Sequence, residues 1–235
     1  MYAIVINILF LRSYMKNIVS RFFLTLVFAI SVLFFTGCAT KRGEVALQVP
    51  TSKVETAPSN GKQVFINSVV DKRIFEVKPP QPSTPSLDPS EAQDDTIKAR
   101  AVGRKRNGYG MALGDILLNE NQSVPSVIKT SLKEALVDKG YHVIENKTEI
   151  TSQTYIADVK IMKFWSWMNM GFWALTISCE IQTDIEFKQE GNPKTYSLHV
   201  KAADSFQTGM ESNYIEVMQK ALKEYSLQVK KEIQE

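Results

Sequence analysis

The chain contains two cysteines, Cys38 and Cys179, which are its candidate thiol groups for covalent chemistry. Cys38 comes shortly after an uncharged, mainly apolar segment, residues 22–35, which itself follows Lys16 and Arg21. A basic start, a short apolar centre and small residues before the cleavage point are the parts of a secretory signal. The apolar segment is too short to favour a permanent membrane-spanning helix, which needs about 20 residues. The spacing therefore predicts export.

The run Phe34-Phe35-Thr36-Gly37-Cys38 resembles the lipobox of bacterial lipoproteins, with Phe where Leu is more usual. In that family the cysteine thiol receives a diacylglycerol, the signal is cut before the cysteine, and the new amine is acylated. The resemblance implies a triacylated Cys38, and two or more acyl chains anchor a protein stably. Ala39 and Thr40 follow in place of the Asp that tends to mark inner-membrane retention. This implies attachment to the outer membrane of a Gram-negative bacterium, with the domain facing the periplasm.

A second candidate site is the segment 100–118, in which basic residues precede Gly108, Gly110 and Gly114. The basic residues are Arg100, Arg104, Lys105 and Arg106. The pattern lacks the Gly-Lys-Ser/Thr of a phosphate-binding P-loop, and its glycine spacing does not match the dinucleotide fingerprint. One interpretation is a site for an anionic ligand, such as a lipid headgroup, held by arginines and loop N–H groups. The other is a structural loop whose arginines pair with acids such as Asp71 or Asp115.

The third candidate is a predicted hairpin that holds all three tryptophans of the chain. Its apolar residues are Trp165, Trp167, Met168, Met170, Phe172 and Trp173. If the hairpin lies over the core, these residues are packing residues. If it extends beyond the sheet, they form an exposed apolar surface, which usually marks a partner or membrane contact, and tryptophan favours membrane interfaces. The sequence leaves both interpretations open.

Evidence for catalysis is weak. His142 and His199 each lie in a predicted strand, and no nucleophile-elbow, zinc-protease or Cys-x-x-Cys motif accompanies them. A Ser-His-Asp group is spatial and is not excluded by sequence. Cys179 falls on the apolar face of a strand pattern, which predicts a buried, inert thiol. We therefore expect a protein that is not an enzyme, with no metal site and no cofactor beyond the acyl chains on Cys38.

The charge balance argues against a nucleic-acid partner. The chain has 28 basic and 25 acidic residues, and three of the basic residues (Arg12, Lys16 and Arg21) lie in the leader, which has no acids. The mature chain is therefore formally neutral, whereas nucleic-acid binding needs a clear basic surface.

The domain organisation follows from composition. Residues 1–37 are the predicted signal, and residues 1–14 fit no part of one, which indicates that translation starts at Met15. Residues 38–60 are predicted to be the lipidated cysteine and a flexible tether. Residues 61–235 form a single periplasmic domain, with a long Pro-rich and Arg/Gly-rich excursion at 76–118.

Apolar periodicity predicts an α+β fold. Helical spacing marks residues 123–139 and a C-terminal helix from about Asn213. Period-two alternation over residues 172–187 is the clearest strand signal, and the link 168–171 joins it to the preceding strand, with Gly171 expected to supply a positive φ. We expect a mostly antiparallel sheet of four to five strands with the two amphipathic helices packed on one face.

The element order and a few short sequences are similar to YajG-type outer-membrane lipoproteins and, more loosely, to auxiliary lipoproteins of lipid-transport ABC systems. The sequences are Val70-Asp71-Lys72-Arg73, Gly140-Tyr141-His142-Val143 and Ala157-Asp158-Val159-Lys160-Ile161. The likeness covers residues 62–234 and implies an envelope location and a non-enzymatic role.

The sequence thus predicts a lipid-anchored periplasmic binding or assembly module. It would contact an envelope protein complex, a lipid or an anionic ligand through the tryptophan hairpin, the Arg/Gly segment or both. An accessory lipoprotein of a lipid-transport system is the second interpretation, and an envelope hydrolase is the third.

Overall fold

The structure, a computed structural model, describes residues 42–51 and 59–233. The predicted signal at 1–37 and the acylation of Cys38 lie outside these residues and stay predictions. Within the described part, eight strands lie in one sheet with three α-helices and one short 3-10 helix, so the fold is α+β. The strands are β1 (Gly43–Val45), β2 (Gln63–Asp71), β3 (Ala101–Arg106), β4 (Ala112–Leu118), β5 (His142–Ile144), β6 (Tyr155–Met170), β7 (Leu175–Gln189) and β8 (Asn192–Phe206). The helices are α1 (Asp95–Arg100), α2 (Val124–Asp138) and α3 (Glu211–Glu232), and the 3-10 helix is Lys147–Glu149.

The sheet forks along β6. β6, β7 and β8 form an antiparallel meander of 16, 15 and 15 residues. On its other edge β6 has two parallel neighbours, with β2 along its first half and β3 along its second. β5 pairs parallel with β2, β4 pairs antiparallel with β3, and β1 pairs parallel with β4. The sheet is therefore mixed, although its longest pairings are antiparallel.

β2 and β3 lie end to end on the same edge of β6. Asp71, the last residue of β2, is level with Ile161, and Gly103 in β3 is level with Ser166. Between these levels Arg73 Nη1 donates to the carbonyl oxygen of Phe164 at 3.0 Å. The guanidinium group of Arg73 thus hydrogen-bonds the β6 backbone in the gap between the last pairing with β2 and the first pairing with β3.

The main core lies between one face of the sheet and helices α2 and α3. Alternate residues of β7, including Ile177, Cys179 and Ile181, are buried there, as the period-two pattern predicts. Ser123 caps α2 by accepting from the Ser126 N–H, and Gly140 ends the helix with φ +89°. Both helices pack on this face, which confirms that part of the prediction.

A smaller apolar cluster covers the other face where residues 72–100 cross the sheet. Leu87 packs there with Ala101, Leu117, Trp165 and Trp167, and Phe75 and Ile97 contact the cluster from its border. The Phe75 and Trp165 rings meet edge to face with centroids 6.0 Å apart. The second half of β6 is therefore buried on both faces, which hides its alternation in the sequence.

The strand number was underestimated. The prediction of four to five strands missed β1, β3 and β4, because three-residue strands and strands buried on both faces carry no clear period. β1 lies inside the segment expected to be a tether, and Val45 and Leu47 are buried. α1, β3 and β4 lie inside the excursion at 76–118, so regular structure occupies part of it.

Candidate functional site

Three connections meet at one end of the sheet. Because β3 runs parallel to β6, the turn after Arg106 lies beside the turn after Met170. Leu175 at the start of β7 pairs with Phe206 at the end of β8, so the segment leading into α3 lies at the same end. Strand register alone thus places residues 107–112, 171–174 and 207–210 together.

Large apolar side chains are exposed at this end. Tyr109 is 93% exposed, Phe172 is 88% exposed and Trp173 is 84% exposed, and three methionines accompany them. We call these six residues the apolar end: Tyr109, Met111, Met170, Phe172, Trp173 and Met210. They account for half of the exposed large apolar side chains in the part of the chain that the structure describes.

The connections that carry the apolar end have no formal charge. Residues 107–112 read NGYGMA, residues 169–174 read NMGFWA, and residues 205–210 read SFQTGM, without Asp, Glu, Lys or Arg. Turns in water-facing positions are usually rich in polar residues. The combination of exposed aromatic rings and missing charge is typical of a surface that contacts something other than water.

The β6–β7 turn is three residues further along than predicted. β6 continues to Met170, and Gly171 to Ala174 form the turn, so Trp173 projects from a turn and is not the first inward residue of β7. Gly171 does not have the positive φ that was expected. The Gly171 N–H donates to the Ala174 carbonyl oxygen at 3.0 Å, and a Cβ on Gly171 would lie 2.4 Å from that oxygen. Glycine is needed there for close approach.

The other residues of the tryptophan cluster are core residues. Trp165 and Trp167 are buried beneath the 72–100 segment, and Trp165 Nε1 donates to the Pro82 carbonyl oxygen at 3.1 Å. Met168 is buried in the main core and lies against Gly209. Of the apolar residues predicted in this hairpin, Met170, Phe172 and Trp173 are therefore the exposed ones.

The four candidate basic residues make internal contacts. Arg100 Nε donates to the Leu118 carbonyl oxygen at 2.8 Å, and its guanidinium pairs with Glu44. Buried Lys105 pairs with Glu211 at the start of α3, and this hydrogen bond lowers the pKa of Glu211. These contacts are of the kind expected if the segment 100–118 is a structural loop whose basic residues pair with acids of the same chain.

Arg106 and Arg104 line a cleft of about 450 Å³ next to the apolar end. Arg106 is buried and donates to the Pro79 carbonyl oxygen at 2.7 Å and to Ser86 Oγ at 3.1 Å. Burial lowers the pKa of Arg106, and the positive charge of Arg104 acts in the same direction. The cleft also contains Lys78, Asp88, Tyr109 and Met111.

Asp115 is a buried partner of Arg104, although it does not itself line the cleft. Arg104 Nε lies 3.2 Å from Asp115 Oδ1. Burial raises the pKa of Asp115, although the charge of Arg104 opposes that effect. The cleft thus combines three cationic groups with the carboxylate of Asp88 and two large apolar side chains, Tyr109 and Met111. Arginine and lysine groups in such a cleft can bind an anionic group.

The remaining chemistry-bearing side chains do not converge. Cys179 is buried, and burial raises its pKa to about 12, so its thiol stays protonated at neutral pH. His199 hydrogen-bonds Glu180 at 2.6 Å on the exposed edge strand β8, and His142 is exposed in β5. Among residues 42–51 and 59–233 there is no His, Cys, Asp or Glu group arranged to hold a metal ion.

No helix of the described chain is both long enough and apolar enough to cross a membrane.

Sequence reasoning missed Tyr109, Met111 and Met210 as members of the apolar end. Tyr109 and Met111 lie in one turn and Met210 lies in another, and only the pairing of β3 with β6 and of β7 with β8 brings them close to the tryptophan hairpin. The sequence feature that could have identified them is the absence of charged residues from all three turns. Arg73 was also missed as a structural residue, although its spacing to Asp71 is visible in the sequence.

Comparison with known proteins gives distant fold similarity. No family model matches the chain, and no curated protein matches it. An uncharacterised protein of known structure has 13% identity and a TM-score of 0.45, over 83% of this chain and 99% of its own. A Xanthomonas campestris protein of the family DUF330 has 12% identity and a TM-score of 0.45, over 82% and 93% of the two chains.

A third solved structure is described as a putative neuraminyllactose-binding hemagglutinin homolog from Helicobacter pylori. It has 10% identity and a TM-score of 0.37, and covers 81% of this chain and 93% of its own.

Proposed function

We propose that the protein is a lipid-anchored binding or assembly module of the bacterial cell envelope. Its acylated Cys38 holds it in the outer membrane, and its folded domain faces the periplasm and acts by contact. The domain binds an envelope component through the apolar end, and catalysis has no part in this role.

The apolar end is the observation that carries the proposal. Three turns from distant parts of the chain place aromatic rings and methionines in water without one charged residue among them. Exposing such groups reduces solubility and gives the fold no packing energy in return. A contact that covers them accounts for their presence.

The contacts of two buried basic residues and the burial of the Cys179 thiol support a binding role of the domain over a catalytic one. Lys105 and Arg106 are bonded to Glu211, Pro79 and Ser86, and so they hold α3 and the proline-rich segment against β3. The thiol of Cys179 is buried and protonated. These groups stabilise the domain, and Arg106 in addition lines the cleft.

Site-specific photo-crosslinking in cells tests the proposal. A photoreactive residue replaces Trp173 in the full chain, and a matched control carries it at Thr195, an exposed strand position near the other end of β8. We expect position 173 to crosslink an envelope component, protein or lipid, and position 195 to give at most background. Equal products at the two positions would contradict a binding role for the apolar end.

An accessory role in lipid transport is the second candidate, and the cleft favours it. Lys78, Arg104 and Arg106 supply positive charge beside Tyr109 and Met111, which is the combination that a phospholipid headgroup and its glycerol region need. In the same experiment, recovery of a permease and an ATPase would favour this role, and other envelope proteins would favour an assembly factor.

A further inference from the structure

β1 fixes where the chain enters the folded domain. Gly43 lies against the first residue of α3, since a Cβ on Gly43 would be 2.6 Å from Glu211 Cγ. Glu211 directly follows Met210, a member of the apolar end. Arg42, one residue earlier, pairs with Glu91 and lies 3.8 Å from Asp115 in β4. The first described residues of the domain are therefore close to the apolar end.

The covalent chain limits how far the acylated residue can be from Gly43. Cys38 precedes Gly43 by five residues. An extended chain spans at most about 3.6 Å per residue, so the Cα of Cys38 lies within about 18 Å of Gly43. The bilayer that holds the acyl chains must lie within nearly the same distance.

Only one end of the sheet lies within about 18 Å of Gly43 along the strand direction. Register places Gly43 level with Ile116, Gly103, Ser166 and Cys179. At about 3.3 Å per residue, the start of β7 at Leu175 is about 13 Å from this level, and the end of β7 at Gln189 is about 33 Å away. An acyl anchor on Cys38 therefore holds the apolar end, and not the opposite end, next to the bilayer.

The chemistry of the apolar end fits the bilayer interface. Trp and Tyr are enriched where headgroups meet hydrocarbon, and charged groups become costly only deeper, in the hydrocarbon itself. The turns at this end hold no charged residue, and three exposed aromatic side chains project from them: Tyr109, Phe172 and Trp173. A protein partner would have to fit between this surface and a membrane that the chain keeps only a short distance away.

We propose that the apolar end is a second, non-covalent membrane contact, which inserts into the interface of the bilayer that carries the lipid on Cys38. The inference rests on the acylation of Cys38 in the proposed function and specifies what the apolar end binds. The domain stands on the membrane by this end, and the turn between β7 and β8 points into the periplasm.

Fluorescence of the full acylated protein in vesicles tests the contact. The probe is a phosphatidylcholine vesicle in which part of the lipid carries brominated acyl chains, which quench nearby tryptophan. Trp165 and Trp167 are buried, so the difference between wild type and Trp173→Phe isolates the emission of Trp173. We expect brominated lipid to quench this difference emission strongly, and we expect acrylamide, an aqueous quencher, to lose its effect on it when vesicles are present.

A matched control moves the tryptophan to the other end. Trp173→Phe combined with Thr195→Trp keeps an aromatic ring at the apolar end and adds one exposed indole about 36 Å away along β8, at about 3.3 Å per residue. We expect acrylamide and not brominated lipid to quench this indole. Equal quenching of both positions by brominated lipid would overturn the proposal, because the domain would then have no preferred end at the membrane.

Mass spectrometry of the same preparation separates the two proposals. If Cys38 is acylated and the protein floats with the vesicles but Trp173 stays accessible to acrylamide, the membrane contact is overturned and the anchored module stands. If the purified native protein carries no acyl mass on Cys38, the anchor in the proposed function fails, and the membrane contact falls with it.

Discussion

Arg73 shows how one side chain holds a forked sheet together. Its Nη1 donates to the carbonyl oxygens of Phe164 and Ala101, and its Nη2 donates to the carbonyl oxygen of Lys98 at 2.6 Å. The guanidinium also pairs with Asp71 at 2.8 Å, and the side chain has no exposed area. Arginine suits this position because its planar donors reach several carbonyl groups at once.

Replacing Arg73 should destabilise the domain. Arg73→Met leaves the carbonyl oxygens of Phe164 and Ala101 without this donor and leaves Asp71 without its cation. We expect a loss of about 3–5 kcal/mol in the free energy of unfolding, measured by urea denaturation, because the change removes a buried cation from its partly buried partner and leaves buried carbonyl oxygens without this donor. Lys72→Met, at an exposed neighbouring position, should change stability by less than about 0.5 kcal/mol. Similar stability for the two variants would show that Arg73 does not bridge the fork.

At the scale of elements, the junction of β3 with β6 depends on a glycine. Gly103 pairs with Ser166, and a Cβ at position 103 would lie 2.8 Å from the Ser166 carbonyl oxygen. Backbone atoms cannot move away as a flexible side chain can. The close approach of these two parallel strands therefore requires the missing side chain.

Gly103→Ala should separate β3 from β6 and lower stability by about 1–3 kcal/mol, the usual effect of overpacking. Gly108→Ala is the matched control, because a Cβ at Gly108 meets nothing within 4 Å and its φ is not positive. We expect the control to change stability by less than about 0.5 kcal/mol. Thermal denaturation of both variants measures the difference, and an unchanged melting temperature for Gly103→Ala would contradict the role of this contact.

The predictable elements are those with a local signal. Helix α2 has a capping serine, an apolar stripe and a closing glycine, and β7 alternates between a buried and a wetter face over most of its length. The position of β3 beside β6 depends on a pairing across more than 50 residues, and the burial of both its faces removes the period. For the same reason the sequence could not show which tryptophans are buried. Trp165 and Trp167 are covered by the segment 72–100, whose path the sequence does not reveal, whereas Trp173 lies in the turn beyond the end of β6.

At the scale of the whole molecule, the proposed acylation of Cys38 would determine whether the domain is held at a membrane. Without the predicted signal at 1–37 the chain would be formally neutral, so electrostatic attraction to anionic lipid would contribute little to attachment. Buried acyl carbons contribute roughly 0.8 kcal/mol for each CH₂, which makes several chains an effectively permanent anchor. Attachment by the apolar end alone would be reversible by comparison.

Cys38→Ala should abolish acylation and leave the unprocessed precursor, because the thiol that accepts the diacylglycerol is gone. Intact mass and electrophoretic mobility of the protein from membranes measure this. Cys179→Ala is the control, and its product should be acylated and processed as in wild type, since Cys179 is buried in the core. A Cys38→Ala protein with the mass of a mature lipidated chain would contradict the assignment of the anchor.

The end-to-end arrangement of β2 and β3 affects how freely the segment between them can change in length and sequence during evolution. The last residue of β2 paired with β6, Asp71, and the first residue of β3 paired with it, Gly103, are only about 17 Å apart along β6, at about 3.3 Å per residue. A loop much shorter than the segment between them could close this gap. Adding residues to such a loop increases its closure entropy only slowly. The segment can therefore gain, lose or exchange surface residues over evolution without a shift in strand register, provided that the arginine at the fork is kept. Divergence among proteins with this architecture should accordingly be concentrated in this insertion.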